Sequence, residues 1–390
     1  MKPRTIYYLF QILTTLGIMC TVTTYVPFLF SIGFSISDVA LINVAFWAIV
    51  VCFEIPTGIF ADVKGRARSL KIGIACHMIG ELLYFRAHGF ASALIAEVMA
   101  GIGLAFVSGA QQAWIADALL NHNETHERRR VFATASALRG CSAIVGGFLG
   151  NALGAYGLRL PWILNATALF AALLLIIFTM KEQGEPALRV NKSAVFAKSI
   201  SMLRTTSALW WAAACATVFG LVVPFNHYWS PLFAARIGQN HLGWVWVPMY
   251  VALAGAGYLI RHFKMSNEHE GDWIGCALLG TGIGFAFLGV APGIVLPIAL
   301  VMLHEFGRGA FEPLLESFTQ HHIESDYRAT YGSLQAFIGR SGCALTLIAV
   351  WWGTRGKPNT VAMMSHVLLV CGVLLAFLAA ILWLLRPRRS

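Results

Sequence analysis

Apolar residues run along this chain in long unbroken stretches with short polar interruptions, and they do not alternate with period two. Roughly 20 apolar residues carry a helix across a bilayer. Twelve segments meet that length, at about 6–30, 38–61, 69–88, 91–118, 129–156, 160–180, 207–235, 240–263, 272–290, 292–318, 328–353 and 361–385. Several exceed it, which predicts tilt. A β-barrel is excluded, because barrel strands alternate inward and outward residues. Most connections are short, so neighbouring helices pack antiparallel. The one long connection, 181–206, divides the chain into six spans and six. The pattern predicts an all-α polytopic membrane protein with twelve transmembrane helices in two pseudo-symmetric six-helix bundles, 1–180 and 207–390. Within 181–206, Val195, Phe196, Ile200 and Leu203 oppose Lys198 and Arg204, which fits either a short interfacial helix or an irregular linker. The first stretch begins like a signal peptide. It reaches about Phe34 without a small-residue cleavage site, so it reads as a retained span.

Composition agrees: 58% of the 390 residues are hydrophobic and 12% charged, about half the charged share of a soluble domain, which is roughly a quarter. This excludes a soluble enzyme and a disordered or fibrous chain. The net charge of +10 changes the picture only through its placement. Of the 28 Lys and Arg, 20 fall on one set of span ends, from Lys2 and Arg4 through Lys64, Arg66, Arg68 and Lys71 to Arg386. The opposite ends hold 5 (Arg86, Arg159, Arg236, Arg355, Lys357), and Arg139, Arg308 and Arg340 lie inside spans. The positive-inside rule then puts both termini and the middle loop in the cytoplasm, in a cytoplasmic (inner) membrane. The charge serves topology and lipid contact, not nucleic acid. Eight cysteines stand singly in apolar segments without CxxC spacing, as small core residues with no disulfide, metal or cofactor role. The sequons at Asn123, Asn165 and Asn191 fall on the cytoplasmic side or inside a span and carry no weight.

The two halves echo one another. SGAQQAWIADALLNHNETHERRRVFATASALRG, from the fourth span into the fifth, parallels RGAFEPLLESFTQHHIESDYRATYGSLQAFIGR, from the tenth into the eleventh. Arg139 and Arg340 hold comparable places. Such a duplication builds one central cavity between two bundles that rock in alternating access. After the second span comes Gly58-x-x-x-Asp62-x-x-Gly65-Arg66-x-Arg68. Gly58 would admit a neighbouring helix closely. Asp62 can face a helix N-terminus or a cation. Gly65 makes the turn, with Arg66 and Arg68 at headgroup level.

In a twelve-span duplicated chain this skeleton resembles the signature between helices two and three of the major facilitator superfamily. The resemblance covers the whole chain, and looks closest to the drug and metabolite efflux branch, where phrases like SGAQQAWIAD and RGAFEP recur. It implies a cytoplasmic gate in which Asp62 faces the eleventh helix and Arg66 pairs with Asp117. The second half keeps only Gly257-x-x-x-Arg261. Two positions depart from proton-coupled relatives. Glu97, not Arg, precedes the Ala100-Gly101-x-Gly103 run, and Ser142-Ala143 replaces Gly-Pro ahead of Gly146-Gly147. The glycines at 146, 150 and 154 remain as a close-packing face.

Ionisable residues inside spans cost several kcal/mol, about 2.5–3.5 on insertion scales, unless they meet water or a partner. Glu305, Arg308, Glu312 and Glu316 are spaced 3, 4 and 4 on the tenth span, one helix face, with His304 beside them. Glu54, Glu81 and Glu97 lie in spans two, three and four. Glu54 and Glu305 are the proton-carrier candidates. For all of these acids the alternative is a fixed ion pair bracing two helices. Arg139, Arg308 and Arg340 suit a carboxylate or phosphate, unless Glu305, Glu312 and Glu316 neutralise them. Tyr25, Asn43, Trp47, Gln111, Gln112, Asn226, His227, Tyr228, Trp229, Trp246, Tyr250 and Gln335 could complete a pocket, although aromatics near span ends also form interfacial belts, as Trp351 and Trp352 do.

No Gly-x-x-x-x-Gly-Lys-Ser/Thr loop occurs, so a gradient must drive any transport. The sequence reads as a monomeric, non-enzymatic secondary transporter of a small molecule. It would be a proton-coupled exporter of a drug or of a carboxylate-bearing metabolite such as a siderophore. The rivals are proton-coupled uptake of a nutrient or organic anion, and, more remotely, a non-transporting sensor or membrane enzyme.

Overall fold

The computed structural model describes residues 1–182, 200–262, 269–323 and 328–387, and among these it is helical throughout, with no strand. In a bilayer the backbone must satisfy its own hydrogen bonds, and helices do this within one segment. Most of the possible interfacial helix lies outside the described residues, although 200–205 are helical.

Two compact units result, Met1–Leu188 with Ile237–Trp246, and Arg189–Arg236 with Val247–Ser390. The first contains α1 (Pro3–Val22), α2 (Tyr25–Ser31), α3 (Ile36–Lys64), α4 (Arg66–Phe85), α5 (Phe90–Val107), α6 (Ala110–Asn121), α7 (Arg128–Tyr156) and α8 (Leu160–Thr179). The second is built of α9 (Ser207–Phe219), α10 (Val223–Ile237), α11 (Gly243–His262), α12 (Glu270–Ala286), α13 (Val295–His321), α14 (Arg328–Thr354) and α15 (Val361–Leu384), with the last residue of α10 and the first turn of α11 grouped in the first unit.

Three spans are interrupted. The first breaks at Thr23–Thr24 between α1 and α2, and the seventh at a 3₁₀ turn, Gly220–Val222. The fourth breaks between α5 and α6 at Gly109, whose φ of 74° suits glycine. Nine helical stretches among the described residues are long and apolar enough to cross a membrane. The remaining three of the twelve spans are α4, α12 and α13. Helix α12 has only 17 residues, while α4 and α13 carry charged residues along their length.

Within the first unit, α1 packs on α7 and α8, and α5 on α3 and α4. The seam between α1 and α7 is made of small residues, as lipid-embedded helices favour. A Cβ at Gly146 would stand 2.5 Å from the Leu16 carbonyl, one at Gly150 would overlap the Cys20 backbone, and one at Gly154 would meet Thr24. The anticipated close-packing face is therefore present. In the second unit α12 packs on α13 and α15, and α9 on α14.

The seam generates a prediction. Gly150→Ala should destabilise the purified protein by about 1–3 kcal/mol, the usual cost of overpacking, and lower its thermal unfolding midpoint. Gly255→Ala, where nothing lies within 4 Å, should leave the midpoint unchanged.

Candidate functional site

At the basic end of the first unit, Arg66 opens α4. Its Nη1 donates 2.8 Å to the Ala113 carbonyl and pairs with the Asp117 carboxylate. One turn of α6 separates those partners, so the guanidinium reads a single helix face. Asp62 is half-buried on the last turn of α3, and Arg68 is exposed. Gly58 is exposed, and among the described residues of its unit nothing lies within 4 Å of a Cβ placed there.

A residue the sequence did not single out completes this cluster. Glu182 accepts from the backbone N–H groups of Ala67 (3.1 Å) and Arg68 (2.9 Å), capping the positive N-terminus of α4. A Cβ on Gly65, whose φ is 112°, would collide with that carboxylate. Glycine is required here by conformation and by the acid. Trp114 Nε1 donates 2.8 Å to the Lys181 carbonyl and seats the same segment on α6.

Inside the first unit, Arg139 of α7 lies beside the buried Tyr7 hydroxyl on α1, close to Gln11. Gln11 donates 3.1 Å to Gln111 of α6. Among the described residues no carboxylate of this unit pairs with Arg139. Gln112 is exposed and Trp47 partly buried. Glu54 is half-buried, 3.5 Å from the Ser108 hydroxyl at the break between α5 and α6. Tyr25 and Asn43 do not stand with these groups. Asn43 donates 3.0 Å to the Tyr25 hydroxyl, which donates 3.4 Å to Glu97.

In the second unit the tenth-span face does not act as one. Glu305 is buried and Arg308 holds it at 3.5 Å. Arg308 also donates 2.9 Å to Asn226 Oδ1 of α10, and Tyr250, Glu312 and Cys343 surround the guanidinium. Glu312 and Glu316 are exposed, and Glu316 accepts from Gln320 at 3.1 Å. Arg340 and Gln335 are partly buried on α14, and His227 is buried on α10. Thus Glu305, Arg308, Asn226 and Tyr250, from α13, α10 and α11, form a constellation.

The sequence pattern of the Major Facilitator Superfamily matches residues 7–347. This chain belongs to that family. None of the curated proteins matches it significantly. Among solved structures, a variant of the nucleoside transporter NupG superposes with a TM-score of 0.81 at 11% identity, over 97% of this chain and 99% of that one. A peptide transporter, POT, in complex with sulfate, gives 0.75 at 13% identity, over 98% and 93%. An auto-inhibited peptide transporter of the POT family gives 0.72 at 12%, over 100% and 98%. At these identities the likeness is one of fold. The protein is therefore a multi-pass membrane protein of a transporter family.

The family repeat also explains a second cluster missed from sequence. Residues of the fourth and tenth spans correspond at an offset of 200, so Asp117 matches Ser317. Ser317 Oγ donates 2.8 Å to Glu270 at the start of α12, and His321 Nδ1 lies 3.1 Å from the same carboxylate. The acid has moved from the end of one helix to the start of its neighbour. The repeated stretch alone could not reveal that swap.

Two outcomes test these placements. Replacing Arg308 by Gln leaves the Glu305 carboxylate buried without its cation, which should cost about 1–3 kcal/mol or more, and adding Glu305→Gln should recover most of it in thermal unfolding. Glu182→Ala should speed hydrogen exchange at the Ala67 and Arg68 amides and leave distant helices unaffected.

Proposed function

We propose that the chain is a proton-coupled secondary transporter that exports a small organic anion, a drug or a carboxylate-bearing metabolite, by alternating access. The observation that carries this reading is Arg139, a cation on a membrane helix with, among the described residues, no carboxylate of its own unit paired with it. A fixed charge in that position needs water or an anionic partner, and a guanidinium binds carboxylate or phosphate through two parallel hydrogen bonds. Arg308, at 3.5 Å from Glu305 with Glu312 also near it, supports the same chemistry in the second unit, with Asn226 and Tyr250 beside it.

In this reading the sequence-defined halves, 1–180 and 207–390, are the moving bodies, joined by 181–206. Arg66 and Asp117, with Asp62, Gly65 and Arg68 around them, form the cytoplasmic gate, and Glu54 and Glu305 face the proton path. The basic span ends place both termini in the cytoplasm of an inner membrane, and the chain works as a monomer. Export rests on the resemblance of SGAQQAWIAD and RGAFEP to the efflux branch. The second reading, uptake of a nutrient or organic anion, draws on the nucleoside and peptide transporters among the structural neighbours.

Comparing the culture media of a wild-type and a deletion strain decides the direction. Export predicts that an anionic metabolite disappears from the deletion medium and returns with the wild-type gene but not with Arg139→Gln. A metabolite that instead stays unconsumed in the deletion medium would establish uptake. Media that do not differ would remove secreted organic anions from consideration.

A further inference from the structure

Between α4 and α5 the first unit holds a chain of protonatable groups that the residues discussed so far do not explain. Three lie on one face of α4. His77, Glu81 and Tyr84 are spaced 4 and 3, about one helical turn each. His77 Nε2 stands 3.1 Å from Glu81 Oε1, and both side chains are largely buried. Across the seam, Glu97 of α5 is 6% exposed. Tyr84 donates to one of its oxygens and Tyr25 of α2 to the other, at 3.4 Å. Asn43 of α3 donates to Tyr25. Trp162 of α8 stacks on Tyr84 with ring centres 4.5 Å apart, closing the far side without a charge.

Packing makes this arrangement possible. A Cβ on Gly80 would stand 2.9 Å from the Ala96 carbonyl, and one on Gly103 2.7 Å from the His77 amide. The two backbones therefore nearly touch, which brings Glu97 under Tyr84 and shuts out lipid.

Charge accounting gives the cluster its meaning. Among the described residues no cation pairs with Glu97. The other ionisable group acting on it besides the two tyrosines is Glu81, itself engaged by His77. Glu81 Oε2 is buried with no donor. Two acids that act on one another across this seam, held by hydroxyls and one imidazole, are neutralised inside a bilayer when one of them takes up a proton. A carboxyl held by tyrosine hydroxyls can accept a proton, and the imidazole can pass one on.

We propose that His77, Glu81, Glu97 and Tyr25 form a proton-binding relay inside the first unit, with Glu97 as its central carboxyl. The relay runs along α4 for about 10 Å, at about 1.5 Å per residue from position 77 to 84, away from the basic end of the helix. Partly exposed Tyr25 is its opening. It rests on the proposed secondary transport only for the task of the bound proton, which is to drive the cycle. The relay gives this half a proton-binding site besides Glu54.

Infrared difference spectra of the full chain in liposomes, recorded between acid and alkaline buffer, read protonated carboxyl C=O stretches and need no transported substrate. Wild type should show a titrating carboxyl band that Glu97→Gln removes. Tyr84→Phe should keep the band and shift its frequency, because one hydrogen bond to it is lost. Glu81→Gln should move the pH at which it titrates. An identical carboxyl region in wild type and Glu97→Gln overturns the proposal. If Glu97→Gln does not fold, an unshifted band in Tyr84→Phe overturns it equally. A band found where the culture-medium comparison fails leaves the relay standing and removes only its transport task.

Discussion

The cost of placing charge in hydrocarbon organises this molecule. Every ionised side chain within a span must meet water, an opposite charge or a hydrogen-bond donor, and the described residues do so in three ways. Arg308 and Glu305 hold one another. Glu97 is held by tyrosine hydroxyls. Arg139 lies beside the Tyr7 hydroxyl, and among the described residues of its unit no carboxylate pairs with it. Stability alone would favour apolar residues of similar volume at such sites. The charges are therefore better understood through what they bind.

Close helix packing is the second constraint, and it works with the first. Lipid tails are as apolar as leucine side chains, so helices in a membrane associate through contact and not through release of water. The glycines of α7 against α1, and of α4 against α5, allow that contact. At the second seam they also determine which polar groups can touch.

The all-helical, many-span fold was readable from the sequence because a 20-residue apolar run has one common outcome in a bilayer. Helix breaks were harder to read. Gly109 is one glycine among many, and its positive φ is a property of the fold. The pairing of Arg66 with Asp117 was legible only through a family resemblance, since the residues are 51 apart in sequence. Glu182 was not legible, because it caps a helix 114 residues away through backbone amides, which have no sequence signature. At Gly58 the described residues of the unit bring no neighbour against the glycine. A glycine permits close approach and does not compel it. On the tenth span, spacing correctly put four charges on one face, but burial separates Glu305 from Glu312 and Glu316.

Residues 237–246, from the later part of the chain, pack with the first unit. Asn151 donates 2.7 Å to the Gln239 carbonyl and accepts 2.9 Å from the Gly243 amide, while Trp246 donates 2.9 Å to the Ala143 carbonyl over Gly147. An amino-terminal half made without this decapeptide would lose these partners of Asn151 and leave the Gly147 notch unfilled. The packing of the first unit is thus completed by a segment from beyond the long connection, so a chain cut at that connection would not carry all of it.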